Sequence, residues 1–159
     1  MCSGAPFAAR EAMVQSDPPP CSRAVPRRPR VLLVDDDPSV VRGLWRALHR
    51  ARPTLQINTA GSAAQALAAL EELNYDAVIT DLEMPGAGGR AVLEALALHH
   101  PETARIAHSS QLESIDTELI RSLSHVVLAK PSSETQLLDA LDQALELAQQ
   151  PLLSKGSRR

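Results

Sequence analysis

Hydrophobic residues in this chain alternate between two rhythms. Short continuous apolar runs are followed by longer stretches in which apolar positions recur every three or four residues. Val31-Leu32-Leu33-Val34 is the first run, the pattern of a strand buried on both faces. Pro38 suits the first turn of a helix, and Val40, Val41, Leu44, Trp45 and Leu48 follow at helical spacing with Arg42, Arg46 and Arg50 opposite them. That spacing predicts an amphipathic helix in which Trp45 faces the core. Leu55–Thr59 reads as a weaker second strand, and Ser62 with Gln65 as a capping box ahead of Ala66, Leu67, Leu70 and Leu73. Ala77–Thr80 is the third strand, ending at Asp81, and a loop with Pro85, Gly86, Gly88 and Gly89 leads to a helix through His99. Ala104–His108 is the fourth strand. Ser110 and Glu113 form another predicted capping box, before Leu112, Ile115, Leu119 and Leu123. Val126–Leu128 is the fifth strand, and Ser133 with Gln136 caps a helix carrying Leu137, Leu141, Ala144, Leu145 and Ala148.

Five strands alternating with five helices imply an α/β domain with a parallel sheet covered on both faces. Right-handed crossovers leave few topologies, and the doubly wound order 2-1-3-4-5 is the simplest. The expected organisation is a Pro- and Arg-rich disordered tail over residues 1–29, one domain over 30–149 and a short basic tail over 150–159. Met13 is an alternative start. No second domain is expected, since ten residues follow Gln149.

Composition narrows the function classes. The chain has one Phe, one Tyr and one Trp, so Leu, Val, Ile and Ala must build the core, and this argues against an aromatic platform for stacking bases. Residues 1–30 hold five Arg against Glu11 and Asp17, and Lys155, Arg158 and Arg159 make the other end basic. The formal net charge of -3 therefore conceals a strongly acidic middle, which repels DNA phosphates, so the core is not expected to bind DNA. The basic ends read as solubilising tails. Both cysteines, Cys2 and Cys21, lie in the first tail, which is neither a disulfide framework nor a metal cluster. With no signal peptide and no apolar stretch of membrane-spanning length, the expectation is a soluble cytoplasmic protein.

In a doubly wound sheet, ligands bind beyond the carboxyl ends of the strands. Here the first strand ends in Asp35-Asp36-Asp37, the third in Asp81, the fourth in Ser109 and the fifth in Lys130. The predicted strand order brings Asp35, Asp36, Asp81, Ser109 and Lys130 together. Two carboxylates at ~4 Å repel by about 4 kcal/mol at an effective dielectric of 20. Such a cluster needs a cation, and hard oxygen donors with open water positions suit Mg²⁺. Lys130 adds a compact positive charge, and Ser109 a hydroxyl. The assembly suits a phosphoryl group, with Asp81 as the nucleophile. Asp37 reads instead as the cap of the helix that begins at Pro38.

At these residues the sequence resembles the response-regulator receiver family, over roughly residues 30–149. The resemblance is carried by Val-Leu-Leu-Val-Asp35-Asp36-Asp37-Pro38, Ile-Thr-Asp81-Leu-Glu-Met84-Pro85-Gly86, Arg-Ile-Ala-His-Ser109-Ser110 and Leu-Ala-Lys130-Pro131. It implies the flavodoxin-like receiver fold, with Asp81 as phospho-acceptor. Asp36 would be a direct magnesium ligand beside Asp81, Asp35 would act through water, and Glu83 would lend its backbone carbonyl. Ser109 would be the switch hydroxyl, Lys130 would pair with the phosphoryl group, and the Lys130-Pro131 peptide would be cis. The implied partner is a histidine kinase or phosphotransfer protein. The segment Arg105–Ser109 and the Leu-Ala-Lys-Pro ending look most like receivers that precede HDOD or HD-type output domains. With no such domain here, the chain reads as a stand-alone receiver acting through protein contacts.

Several positions depart from the family pattern. Val127 stands where a switch aromatic is usual, Gly88-Gly89 replaces an Asp-Gly pair and suggests a more flexible start to the helix, and Ser110 stands where Ala or Gly is usual. Glu83 adds a negative side chain near the site and, with Gln111, is expected to set the lifetime of the phosphoryl group. Leu112, Ile115, Leu119 and Val127 form either a partner or homodimer face on the fourth helix, fifth strand and fifth helix, or simply part of the core stripe. His108 is expected as a buried, hydrogen-bonded strand histidine, His99-His100 as a solvated helix end, and His49 and His125 as isolated. Two other functions compete: a degenerate receiver that binds partners without phosphorylation, and a phosphatase of the haloacid-dehalogenase type. The latter's first motif is loosely mimicked by Asp35-x-Asp37-x-Ser39, and Ser109 and Lys130 mimic the next two. That family needs a later acidic pair, and here Asp139 and Asp142 fall inside an amphipathic helix.

Overall fold

The computed structural model describes residues 27–114 and 116–150. Most of both tails, with Cys2, Cys21 and Met13, and also Ile115, lie outside the described residues. The elements run β1 (Arg30–Val34), α1 (Pro38–Ala51), β2 (Gln56–Ala60), α2 (Ala63–Glu72), β3 (Ala77–Asp81), α3 (Gly88–His99), β4 (Ala104–Ser109), α4 (Thr117–Leu123), β5 (Val126–Ala129) and α5 (Glu134–Gln149). All neighbouring strands are parallel, in the order β2-β1-β3-β4-β5, as the alternating pattern predicts.

The continuous apolar run of β1 is explained by burial on both sides. Val31 and Leu33 point into one core with Leu44 and Leu48 of α1 and Leu137, Leu141 and Ala144 of α5. Leu32 and Val34 point into the other, with Ala66 and Leu70 of α2 and Val92 and Leu96 of α3. Strand side chains alternate between faces, so a strand clothed on both sides must be apolar at every position. A third, smaller cluster of Leu93, Ala107 and Ile120 holds α4, with Leu82, Leu123 and Val127 packed against it. Pro29 at the first sheet end accepts from the Gln56 amide, and Arg27 forms a two-pronged pair with Asp76 at 2.9 and 3.2 Å.

The helix caps match the sequence in part. Asp37 caps α1 by accepting from the Ser39 amide at 2.8 Å, and Ser133 with Gln136 forms a complete capping box on α5. Ser62 caps α2, but Gln65 reaches back to the Gly61 amide, one residue earlier than a capping box requires. The pair Ser110 and Glu113 starts no helix. Residues 111–114 form a turn, and α4 begins at Thr117 with Asp116 as its cap, accepting from the Leu119 amide. The Ser110 amide and hydroxyl are instead bound to Glu83.

Trp45 is not a core residue. It is 38% exposed and stacks on His49, one helical turn along α1, with ring centroids 4.6 Å apart. Leu44 and Leu48 fill that face of the core, and the large indole slides to the rim. His49 is thus paired rather than isolated. His125 is not isolated either, since its Nδ1 accepts from the Arg105 amide at 3.0 Å.

Candidate functional site

The parallel register delivers the strand ends to one place. β1 ends beside β3, and Asp81 lies opposite His108 in β4, so Ser109 is the next residue past it. The Lys130 amide then bonds the Ser109 carbonyl at 2.8 Å, fixing the start of the loop after β5. Asp35, Asp36 and Asp81 present one carboxylate oxygen each, all within 4.8 Å of one another. Asp35 and Asp81 are each 3% exposed, while Asp36 lies open to solvent.

The Lys130 ammonium sits between the two buried carboxylates, 2.8 Å from Asp35 Oδ2 and 3.0 Å from Asp81 Oδ1. Burial works against its charge, but the hydrogen bonds and charges of Asp35 and Asp81 outweigh this and raise its pKa. The ammonium therefore stays protonated across the neutral range. The opposite oxygen of Asp35 accepts from the Asp37 amide at 2.9 Å, and Asp81 Oδ1 also accepts from the Glu83 amide at 3.0 Å. Each buried carboxylate is thus held by a main-chain donor as well as by the lysine, which fixes its rotamer. The Lys130-Pro131 peptide is cis, as expected.

Beneath Asp81, α3 approaches the main chain at Gly89. A Cβ there would lie 1.8 Å from the Asp81 carbonyl oxygen and 2.8 Å from Thr80 Oγ1. Gly89 is therefore a close-packing residue rather than a flexible joint. Gly88, before it, takes φ +64°, the left-handed region natural to glycine. The sequence reading missed this role, although paired glycines at the start of a helix just past a site loop are a signal for close backbone approach.

Ser109 is fully buried, and its hydroxyl is not aimed at Asp81. It donates to Glu83 Oε1 at 2.6 Å and accepts from the Gln111 amide at 3.1 Å. Glu83 also accepts from the Ser110 amide, the Ser110 hydroxyl and the Gln111 amide. Burial alone would push the Glu83 carboxyl up, but the bonds from Ser109, Ser110 and Gln111 prevail and hold it below the usual carboxylate range. His108 is buried, with Nε2 3.4 Å from Ser132 Oγ and no partner at Nδ1. Burial and the Lys130 charge lower its pKa against the pull of the nearby carboxylates, so it is a neutral strand histidine with a weaker hydrogen bond than expected. Asp142 is an exposed partner of Arg52 on α5, away from the strand ends, and so supplies no acidic pair for a phosphatase site.

Residues 31–142 match the response regulator receiver domain. The chain belongs to this family. Receivers are the phosphoryl-accepting signalling domains of two-component systems, engaging histidine kinases or phosphotransfer proteins. This receiver is similar to a protein-glutamate methylesterase/protein-glutamine glutaminase of Agrobacterium fabrum, 37% identical over 57% of this chain and 26% of the relative. It is also similar to the sensory/regulatory protein RpfC of Xanthomonas campestris, 35% identical over 75% of this chain and 17% of that protein. The chain thus spans only about a quarter or less of these relatives' lengths. Among solved structures it resembles the signal receiver domain of an HD domain-containing protein from Pseudomonas fluorescens, with a TM-score of 0.68 and 31% identity over 78% of this chain and 91% of that one. A receiver domain protein from Methanospirillum hungatei shares the fold, with a TM-score of 0.70 at 20% identity over 76% of this chain and 95% of that one. The likeness to an HD-associated receiver agrees with the sequence resemblance around Ser109 and Lys130. Among the described residues, no helix is long and apolar enough to cross a membrane.

Proposed function

We propose that this receiver takes a phosphoryl group on Asp81 from a phosphohistidine donor in a magnesium-dependent site, and thereby changes its protein contacts. The observation that carries this reading is the Lys130 ammonium bridging Asp35 and Asp81 at 2.8 and 3.0 Å. An Asp81 oxygen attacks phosphorus, an acyl phosphate P–O bond forms, the P–N bond of the donor breaks, and the imidazole leaves. Lys130 is placed to follow the growing negative charge. The three carboxylate oxygens within 4.8 Å suit a hard divalent ion. Asp36 and Asp81 would hold it directly, Asp35 through water and Glu83 by its backbone carbonyl. Bound there, Mg²⁺ supplies charge neutralisation at the phosphoryl oxygens.

Output is assigned to protein contacts of the face formed by α4, β5 and α5, including a second copy of the chain. Leu112, Leu119 and Val127 lie near that face and are half-buried, although Val127 also packs against the core cluster beneath α4. The reading is tested by incubating the protein with Mg²⁺ and acetyl phosphate and measuring intact mass, with Asp81→Ala as control. One adduct, lost in the variant, is expected. Absence of an adduct with both acetyl phosphate and a phosphohistidine donor would overturn it. It would favour instead a binding module independent of phosphorylation, a reading to which the engagement of Ser109 by Glu83 lends some support.

A further inference from the structure

Four donors converge on one carboxylate at the end of β4. Glu83 Oε1 receives the Ser109 hydroxyl at 2.6 Å, the Ser110 amide at 3.0 Å and the Gln111 amide at 2.8 Å. Its Oε2 receives the Ser110 hydroxyl at 2.9 Å and shares the Ser110 amide at 3.2 Å. Consecutive amides and hydroxyls around a single point form an anion-binding concavity. Its contents come from the same loop as the phospho-acceptor, because Glu83 lies two residues past Asp81 and its amide donates to Asp81 Oδ1.

We propose that the Glu83 carboxylate is a built-in occupant of the Ser109–Gln111 anion site, and that a phosphoryl group on Asp81 must displace it to gain these donors. This inference rests on Asp81 being the phosphoryl acceptor. Ser109 has one hydroxyl proton, and it is committed to Glu83. It cannot bond a phosphoryl oxygen at the same time. The Ser110 amide is in the same position. A second anion brought beside Glu83 is also repelled by its charge. Competition for the same protons therefore makes Glu83 a positioning residue that opposes phosphoryl uptake and holds residues 109–111 in place until uptake occurs.

The consequence reaches α4. Gln111 is the anchor of the turn that precedes this helix, since its carbonyl accepts from both the Ser114 amide and hydroxyl. When Glu83 leaves, Ser110 and Gln111 lose their shared acceptor, and the segment leading to α4 is freed to rearrange. The chain has Val127 rather than an aromatic ring at the usual switch position on β5, so expulsion of Glu83 supplies a route to the α4 face without a ring flip.

The test compares the full chain with its Glu83→Ala and Glu83→Gln variants. All three are treated with acetyl phosphate and Mg²⁺, and adduct formation is timed by intact mass. Both substitutions keep the backbone carbonyl of residue 83. Glu83→Ala empties the site, and we expect uptake about tenfold faster or more, the change that follows from losing roughly one charge-assisted hydrogen bond's worth of opposition. Glu83→Gln retains one acceptor oxygen and is expected to fall between the two. A second measurement uses the wild type alone, so that it survives any loss of folding in the variants. On phosphorylation, the Glu83 side-chain carboxyl resonance and the Ser110 and Gln111 amide resonances should shift together. Equal uptake rates, or an unmoved Glu83 carboxyl resonance in phosphorylated wild type, would overturn the inference while leaving Asp81 as acceptor. Equal acceleration in the Ala and Gln variants that vanishes in high salt would show simple charge repulsion and also overturn it. No adduct in any of the three proteins would remove the acceptor reading and this inference with it.

Discussion

Gly89 packs against the main chain of Asp81 so closely that a Cβ on it would stand 1.8 Å from the Asp81 carbonyl oxygen. The contact ties the start of α3 to the floor of the acidic site. Gly89→Ala must push α3 and Asp81 apart, with an expected loss of about 1–3 kcal/mol in stability, the usual cost of overpacking. Gly43, in the middle of α1, faces open space, with nothing within 4 Å of the point where a Cβ would stand. There Gly43→Ala should gain about 0.5–1 kcal/mol through helix propensity. Urea unfolding of both variants checks the pair, and similar behaviour at the two glycines would show that the close approach is not a constraint.

Lys130→Met leaves Asp35 and Asp81 facing each other without the ammonium between them. We expect unfolding free energy measured in chelator to fall by about 1–3 kcal/mol, less than for a fully enclosed pair because the lysine is partly solvated. Added Mg²⁺ should recover more stability in the variant than in the wild type, since the divalent ion takes over the neutralisation. The same denaturation series with and without Mg²⁺ measures both effects.

Magnesium should stabilise the wild-type fold by linkage, by about 1.4 kcal/mol at a concentration roughly ten times the dissociation constant. Asp36 is the exposed member of the carboxylate cluster and has no part in the Lys130 bridge. Asp36→Ala is therefore expected to remove most of the magnesium effect with little change in chelator. Thermal unfolding with a magnesium titration would reveal whether Asp36 is a ligand. An unchanged magnesium response in the variant would exclude it.

His125 brings a pH dependence that is separate from the carboxylate cluster. Burial and the nearby Arg105 charge lower its pKa to about 4, and its neutral Nδ1 accepts from the Arg105 amide. In the unfolded chain the ring takes a proton near the ordinary value of about 6.5. The unfolded state therefore binds more protons between these two values, so stability falls as pH drops through roughly 6.5 toward 4. Allowing for solvent screening of a half-buried ring, the loss is about 1–2 kcal/mol. His125→Asn keeps an acceptor but cannot titrate. Urea midpoints at pH 7 and pH 4.5 should differ less in this variant than in wild type.

Much of this protein is legible in its sequence because the underlying interactions are local or periodic. The all-apolar run Val31–Val34 requires a strand covered on both faces, and the sheet order follows once five strands alternate with helices. Asp37 before Pro38 and Ser133 before Gln136 announce their helices, because a cap is satisfied within three residues. Strand ends likewise place Asp35, Asp81, Ser109 and Lys130 at one rim.

Where the sequence failed, a long-range contact had outcompeted a local one. Ser110 and Glu113 have the spacing of a cap, but the Ser110 donors are drawn to Glu83, 27 residues earlier, and α4 waits for Asp116. Trp45 has core spacing, but the space beneath α1 is already filled by Leu44 and Leu48. The glycine pair looks like slack in the chain until Asp81 is seen pressed against Gly89. Sequence alone determined which groups meet at the rim of the sheet, because strand periodicity and topology dictate it. Only the tertiary structure decided what each group does with its protons, because Ser109 and Lys130 find their acceptors in distant parts of the chain and sequence spacing carries no record of their distance.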